Sequence, residues 1–261
     1  MSKVANSVST LRKVPILNAF VHDVSMEDVL NTFNEGLMLT LHTDMLIKLQ
    51  KDREFYAAMH QFDLVTCDSQ IMYWALKFLG TPVAERVSGS DFLPKFYTKH
   101  KANPDVRIFL LGGQEGVATE AADRINGRVQ REIVVGTDAP PLNFENRPEE
   151  LERVLDKIRQ SEATVLVVGL GGGRQEKFIL AVRDKLPKVR MFLPLGGTID
   201  YEAGALSRPA PWVTNAGLEW LYRVFKEPKK RWRRYFVEQP PALWMILKQR
   251  LGLYRDPFGD T

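Results

Sequence analysis

The sequence predicts an α/β fold: a parallel sheet with helices on both faces. Three observations carry that expectation. Six short runs are apolar almost throughout, the pattern of strands buried on both faces. The stretches between them are longer and show helical period. Strand and helix alternate along most of the chain, as parallel strands joined by crossover helices require.

The predicted strands are Gly36–Leu41 (GLMLTL), Phe62–Cys67 (FDLVTC), Val106–Leu111 (VRIFLL), Glu132–Val135, Thr164–Gly169 (TVLVVG) and Arg190–Pro194 (RMFLP). Helical period covers Asp44–His60, where Met45, Leu49 and Phe55 or Tyr56 share a side. Ser69–Leu79 opens with a serine suited to an N-cap. Gln114–Val129 and Arg174–Leu186 are longer amphipathic runs. Thr137–Glu149 (TDAPPLNFENRPE) reads as a surface loop because of its prolines. Ala205–Pro211 (ALSRPAP) closes the α/β pattern. Trp212–Asp260 has a different composition, holding Trp212, Trp220, Trp232 and Trp244, and reads as a C-terminal helical appendage. The expected division is a core over 1–208 and a basic, Trp-rich appendage over 209–261.

Composition narrows the function classes. Of 261 residues, 44% are apolar and 26% charged, which excludes a wholly disordered chain. No apolar run reaches the roughly 18 residues of a transmembrane helix. The opening MSKVANSVSTLRKV has no signal-peptide core, so a reducing, cytoplasmic setting is expected. The single cysteine, Cys67, excludes an internal disulfide framework and a Cys-rich zinc site, and reads as a small buried residue. The net charge of +4 says little as a sum. Its distribution says more, because KEPKKRWRRYF (Lys226–Phe236) holds six Lys or Arg and one Glu.

Four segments could carry chemistry, and three of them follow predicted strands, at the carboxyl edge where ligands of open α/β sheets gather. GLGGGRQEK (Gly169–Lys177) is a glycine turn that brings backbone and a helix N-terminus close to a phosphate or sugar. Arg174 replaces the third glycine of a dinucleotide fingerprint, and no Gly-Lys-Ser/Thr follows for a P-loop. Asp68, in VTCDS, is placed as a general base, or as an N-cap of the next helix. Arg86, in AERVSGSD, is a fork suited to a diphosphate, or the partner of Glu85 or Asp91. LGGTIDY (Leu195–Tyr201) is a second glycine turn followed by Asp200. His42, directly after GLMLTL, is the histidine best placed for a role. No His spacing and no Asp-x-Asp pair suggests a metal site. In the appendage, Trp232, Tyr235 and Phe236, and again Trp244, Leu247 and Leu251, recur at helical spacing among Lys and Arg. Such a face suits an anionic membrane, a nucleic acid, or packing on the core.

Taken together these segments resemble the WecG/TagA/CpsF glycosyltransferases, family 26. The matching runs are TLHTDML (Thr40–Leu46), CDSQIMYWALKFLGTPVAERVSGSD (Cys67–Asp91), VGLGGGRQEKFI (Val168–Ile179), GGTIDYEAGALSRPAP (Gly196–Pro211) and GLEWLYRVFKEPKKRWRRY (Gly217–Tyr235). The resemblance spans roughly residues 14–238. It implies a Rossmann-like core with a membrane-docking appendage, and a metal-independent, inverting transfer from a UDP-sugar. The implied acceptor is a saccharide on a polyprenyl diphosphate at the inner face of the bacterial membrane, feeding surface or exopolysaccharide synthesis. Homo-oligomers fit the resemblance; no cofactor is implied.

Roles follow from the resemblance residue by residue. Asp68 is the implied base, and Thr40 lines its strand-end pocket. Arg86, Gly171, Gln175 and Asp200 are implied to contact donor or acceptor. Arg223, Lys230, Arg231, Arg233 and Arg234 stand where the family places cations against the UDP diphosphate. Three departures fall at the same pocket: His42-Thr43 for the usual Asn-Pro, Ser69 for Gly, and Gly172-Gly173-Arg174 for Ser-Pro-Lys. They leave two donors open, a hexose such as the glucose of xanthan-type assembly and N-acetylmannosamine. A basic nucleic-acid-binding module is the alternative from another class. A nicotinamide oxidoreductase is disfavoured by the missing glycine and acidic partner.

Overall fold

The structure is a computed structural model that describes residues 10–207, 213, 219–226 and 239–259. In chain order its strands are β1 (Lys13–Ile16), β2 (Ala19–His22), β3 (Gly36–Leu41), β4 (Leu64–Cys67), β5 (Ile108–Gly112), β6 (Val134–Asp138), β7 (Val165–Gly169) and β8 (Met191–Pro194). Its helices are α1 (Met26–Thr32), α2 (Thr43–Leu49), α3 (Arg53–Met59), α4 (Gln70–Leu79), α5 (Gly89–Lys99), α6 (Val117–Val129), α7 (Pro148–Gln160), α8 (Arg174–Val182), α9 (Thr198–Glu202), α10 (Glu219–Lys226) and α11 (Pro240–Arg250).

Strands β3 to β8 form one parallel sheet in the order β4-β3-β8-β7-β5-β6. The pleat divides their side chains between two cores. Leu37, Leu39, Leu41, Val65, Leu166, Val168 and Phe192 face α2, α3, α4, α7, α8 and α11. Met38, Leu64, Ile108, Leu110, Val165, Val167 and Leu193 face α1, α5, α6 and α9. Apolar residues on both faces explain why these strands read as continuous apolar runs. β1 and β2 form a separate antiparallel hairpin that packs beside β4.

The connections place the ligand edge. The helices that follow β3 and β7 lie on one face, and α9, which follows β8, lies on the other. β8 sits between β3 and β7. Its carboxyl end is therefore flanked on both sides by a change of face, the condition that opens a crevice in such sheets.

Several expectations are corrected. The helix expected over Asp44–His60 is two helices. The chain leaves α2 at Gln50, and Asp52 starts α3 by accepting the Phe55 N–H at 2.9 Å. Thr137–Glu149 is more than a surface loop. It finishes β6, makes a 3₁₀ turn at Phe144–Asn146, and enters α7 with Pro148 at its first turn. Phe144 in its middle is fully buried against Phe178.

The C-terminal residues 239–259 lie on the core. Helix α11 packs against α4 and α2 and buries Ala242 and Ile246. Gln239 donates to Asp44 at 2.7 Å, Gln249 accepts the Leu17 N–H at 2.8 Å, and Tyr254 donates to Gln50 at 2.7 Å. Among the described residues no helix is long and apolar enough to cross a membrane.

Candidate active site

The carboxyl ends of β4, β3, β8 and β7 gather most of the singled-out residues. Asp68 follows β4 directly. Its N–H donates to the Leu41 carbonyl of β3 at 2.9 Å, which fixes the turn at the strand end. Helix α4 is capped by Ser69, whose hydroxyl accepts the Met72 N–H at 3.2 Å and pairs with Thr43 at 2.9 Å. The N-cap is thus Ser69, and the capping alternative for Asp68 falls away.

The Asp68 carboxylate has its own partner. Its Oδ1 accepts the Gly89 N–H at 3.0 Å, from the first turn of α5. The amino end of a helix carries partial positive charge, which favours an anion there. A side chain here would crowd the ends of two strands. A Cβ on residue 89 would lie 2.9 Å from Leu195 Cδ2 and 3.3 Å from Thr40 Oγ1. The same contacts put Thr40 and Leu195, from the ends of β3 and β8, beside the α5 terminus that holds Asp68.

Arg86 braces this turn. One arm donates to the Asp68 carbonyl at 3.1 Å, and the other to Asp91 at 2.9 Å. Of the two partners considered for it, Asp91 is the one observed. Asp91 also accepts from Ser88, the N-cap of α5, at 2.7 Å. Thr66 on β4 ties the segment down by donating to the Val87 carbonyl at 2.9 Å.

On the β7 side lies the triglycine turn. Gly171 and Gly173 both have φ +90°, a backbone L side chains rarely adopt. A Cβ on residue 171 would meet nothing within 4 Å. The turn faces β3: Lys48 of α2 donates to the Gly172 carbonyl at 2.6 Å, and a Cβ on residue 172 would lie 3.8 Å from His42 Nε2. His42 thus stands across the crevice from the turn, with Nδ1 3.8 Å from Asp44.

Gln175 lies beneath that turn. It is 4% exposed, and its Nε2 donates to the Pro194 carbonyl at 3.0 Å and to Glu176 at 2.9 Å. Its Oε1 is buried with no hydrogen-bond partner, 4.0 Å from where a Cβ on Gly196 would stand. A buried acceptor without a donor is costly unless a ligand or water supplies one. Asp200, on α9, brings Oδ2 to 3.5 Å from the corresponding position on Gly197.

Besides Lys48, two contributors, Gly89 and Glu176, escaped sequence reasoning. Gly89 is one, because its N–H matters only once β4 and α5 are side by side. Ser88 and Asp91 around it form an S-x-x-D cap, a signal that could have placed the helix start. Glu176 is the other. It is fully buried, accepts the Gly173 N–H and the Gln175 amide, and so holds the triglycine turn closed from below. Burial pushes its carboxyl up to about 7, opposed by the hydrogen bonds from Gln175 and Gly173 and by the charge of Lys48. Its signal was the Gln-Glu pair after the glycines. Cys67 is buried, and burial pushes its thiol up to about 12, as suits an inert core residue.

The appendage cations are less fully described. The backbone of Arg223 lies in α10, which Tyr222 tethers to Ser207 at 2.7 Å. Lys230, Arg231, Arg233 and Arg234, and the aromatic run Trp232–Phe236, lie outside the described residues.

Comparison with known proteins identifies the family. A family model described as the glycosyl transferase WecG/TagA/CpsF family matches residues 14–256. A relative from Bacillus spizizenii, named N-acetylglucosaminyldiphosphoundecaprenol N-acetyl-beta-D-mannosaminyltransferase, is 25% identical over 216 residues, 82% of this chain and 80% of that protein. The oxidoreductase and nucleic-acid alternatives therefore give way, and the chain belongs to the WecG/TagA/CpsF family of glycosyltransferases.

Proposed function

We propose that this glycosyltransferase moves a sugar from a UDP-sugar to a saccharide carried on a polyprenyl diphosphate, with inversion and without a divalent cation. The observation that carries the reading is the juxtaposition at the crevice. A carboxylate held by a helix terminus, Asp68, and an unpaired buried acceptor, Gln175 Oε1, occupy the two sides of β8. The relative's printed name supports the acceptor class, a sugar on diphosphoundecaprenol.

In this reading the Asp68 carboxylate takes the proton of the acceptor hydroxyl. The freed oxygen attacks the anomeric carbon from the side opposite UDP. The bond from that carbon to the diphosphate oxygen breaks, and UDP leaves with the electron pair. Gln175 Oε1 accepts from a hydroxyl of the sugar, which gives its buried oxygen the donor it lacks. Arg223, with Lys230, Arg231, Arg233 and Arg234, offsets the charge of the departing diphosphate, as fixed cations can. Arg86 keeps Asp68 in place through its carbonyl. The donor is N-acetylmannosamine, the sugar in the relative's name, or a plain hexose such as glucose; the departures at His42, Ser69 and Gly172–Arg174 leave both open. The protein works at the anionic inner membrane face, where the acceptor resides.

The test is UDP release from a panel of UDP-sugars, with a lipid-diphosphate-linked monosaccharide, with and without EDTA. Acceptor-dependent release with one donor, unchanged by EDTA, is expected. Release that needs a divalent cation, or that ignores the acceptor, contradicts the proposal.

A further inference from the structure

Helix α4 starts at Gln70, just past Asp68, and runs out to the surface. It buries Met72, Ala75 and Leu76 against the core. Its outer side is unusual for a surface helix, since Trp74 is 45% exposed and Phe78, one turn on, is 51% exposed. Helix α11 packs beside α4 and repeats the pattern. It buries Ala242 and Ile246 and leaves Leu243 47% and Trp244 57% exposed. Large apolar side chains on two adjoining helices are thus held in solvent.

Charge identifies the occupant. Neither QIMYWALKFL nor PPALWMILKQR contains an acidic residue. Lys77 lies over the Tyr73 ring at 4.4 Å, and Lys248 lies 5.6 Å from the Trp244 ring. Exposed tryptophan and phenylalanine on helices that carry Lys77 and Lys248 beside aromatic rings match the boundary of an anionic bilayer, where rings enter the headgroup layer and cations meet lipid phosphates. Among the described residues, the charged side chains that α4 and α11 themselves carry are all basic: Lys77, Lys248 and Arg250.

We infer that the core helix α4, together with α11, forms a surface that docks on anionic lipid. The inference rests on the lipid-linked acceptor proposed above and extends it. Docking is then a property of the core beside the base as well as of the appendage. Because α4 begins at the Asp68 turn, a protein seated by Trp74 and Phe78 brings that turn toward the plane from which a lipid-linked acceptor rises.

The experiment compares the full chain with Trp74→Glu/Phe78→Glu, Trp74→Ala/Phe78→Ala and, as a control, Leu142→Glu, whose side chain is 77% exposed in the loop after β6. Each is sedimented with phosphatidylcholine vesicles, with and without phosphatidylglycerol, and its circular dichroism is checked. The wild type should bind the anionic vesicles. The Glu pair should bind about ten-fold more weakly or worse, and the Ala pair should fall between. Leu142→Glu should bind like the wild type. Equal binding by the Glu pair, or no binding by the wild type, overturns the inference. So does a Glu pair that loses self-association in sedimentation velocity but keeps vesicle binding, because the face would then join copies of this chain. UDP release is read separately: vesicle binding that depends on Trp74 and Phe78 without any transfer would keep the docking surface and remove the proposed reaction.

Discussion

The two ends of the sheet carry an aspartate each, and they are used differently. Asp138, ending β6, is 9% exposed and is bridged by Lys157 at 2.8 Å and Arg153 at 3.2 Å. Those cations come from α7, so the group ties a helix to a strand. Asp68, after β4, takes a helix-terminal N–H on Oδ1 and stands at the crevice edge. The glycines differ in the same way. A Cβ on Gly112, which ends β5, would lie 2.4 Å from the Gly169 carbonyl oxygen, whereas one on Gly171 would meet nothing within 4 Å. Strand-end position alone therefore does not mark a site. What separates the halves is whether the neighbouring atoms fill the space or leave it for a ligand.

The sharpest way to break this contrast is to swap the two carboxylates for amides. Asp68→Asn should lower turnover by about 10²–10⁴-fold with UDP binding nearly unchanged. Asp138→Asn should leave turnover within a few-fold and lower unfolding free energy by about 1–2 kcal/mol, because its cations are half exposed and screened. Kinetics and urea melts on both variants check the pair. Similar effects on turnover from both would erase the distinction.

The glycines give the next largest effect. Gly112→Ala should cost about 2–5 kcal/mol, since the Cβ overlaps backbone and φ is +115°. Gly171→Ala should cost only about 1–2 kcal/mol of strain. Its larger effect should appear in the donor KM. A thermal melt that ranks them the other way would contradict the packing account.

A pH experiment addresses Glu176 beneath the open turn. Its folded pKa of about 7 is raised from 4.5, so its contribution to stability is whole below about 4.5 and lost as pH rises to 7. Burial pulls His22 down to about 4 from 6.5, so its contribution runs the other way and is lost as pH falls below 6.5. The two oppose each other between pH 4.5 and 6.5. Burial also holds His60 and His100 below their ordinary value, so in Glu176→Gln the histidine effects act without the opposing carboxyl, and urea midpoints should rise with pH across that window more steeply than in the wild type. The difference between the proteins should reach about 2–3 kcal/mol. Parallel curves would remove Glu176 from this role. The smallest expected effect belongs to Arg86→Lys, which loses the fork joining Asp68 to Asp91 and should lower kcat about ten-fold with little change in donor KM.

The sheet was legible because β3, β4, β5, β7 and β8 bury nearly every residue, and such runs stand out without any partner information; the edge strand β6 is only partly buried and lies at Val134–Asp138, where Glu132–Val135 was expected. The β1–β2 hairpin was not. Its strands have four residues each, and its turn places Leu17 at φ +54° where an Asn-Gly pair would have announced it. Helix α5 was hidden by Pro94 in its middle, and α7 by the prolines that make its approach look like loop. At the site, Asp68, Thr40, His42, Gly171 and Gln175 could be singled out from strand ends and the family resemblance. Gly89 and Lys48 could not, because each acts through a contact made across the sheet edge.

The most direct measurement is acceptor-dependent UDP release by the wild type and Asp68→Asn, side by side, with the lipid-diphosphate-linked acceptor and the UDP-sugar panel. The account predicts release by the wild type with one donor and at least about a hundred-fold less by the variant, with matched UDP affinity. Release by Asp68→Asn within a few-fold of wild type would contradict it and move the base elsewhere on the carboxyl edge.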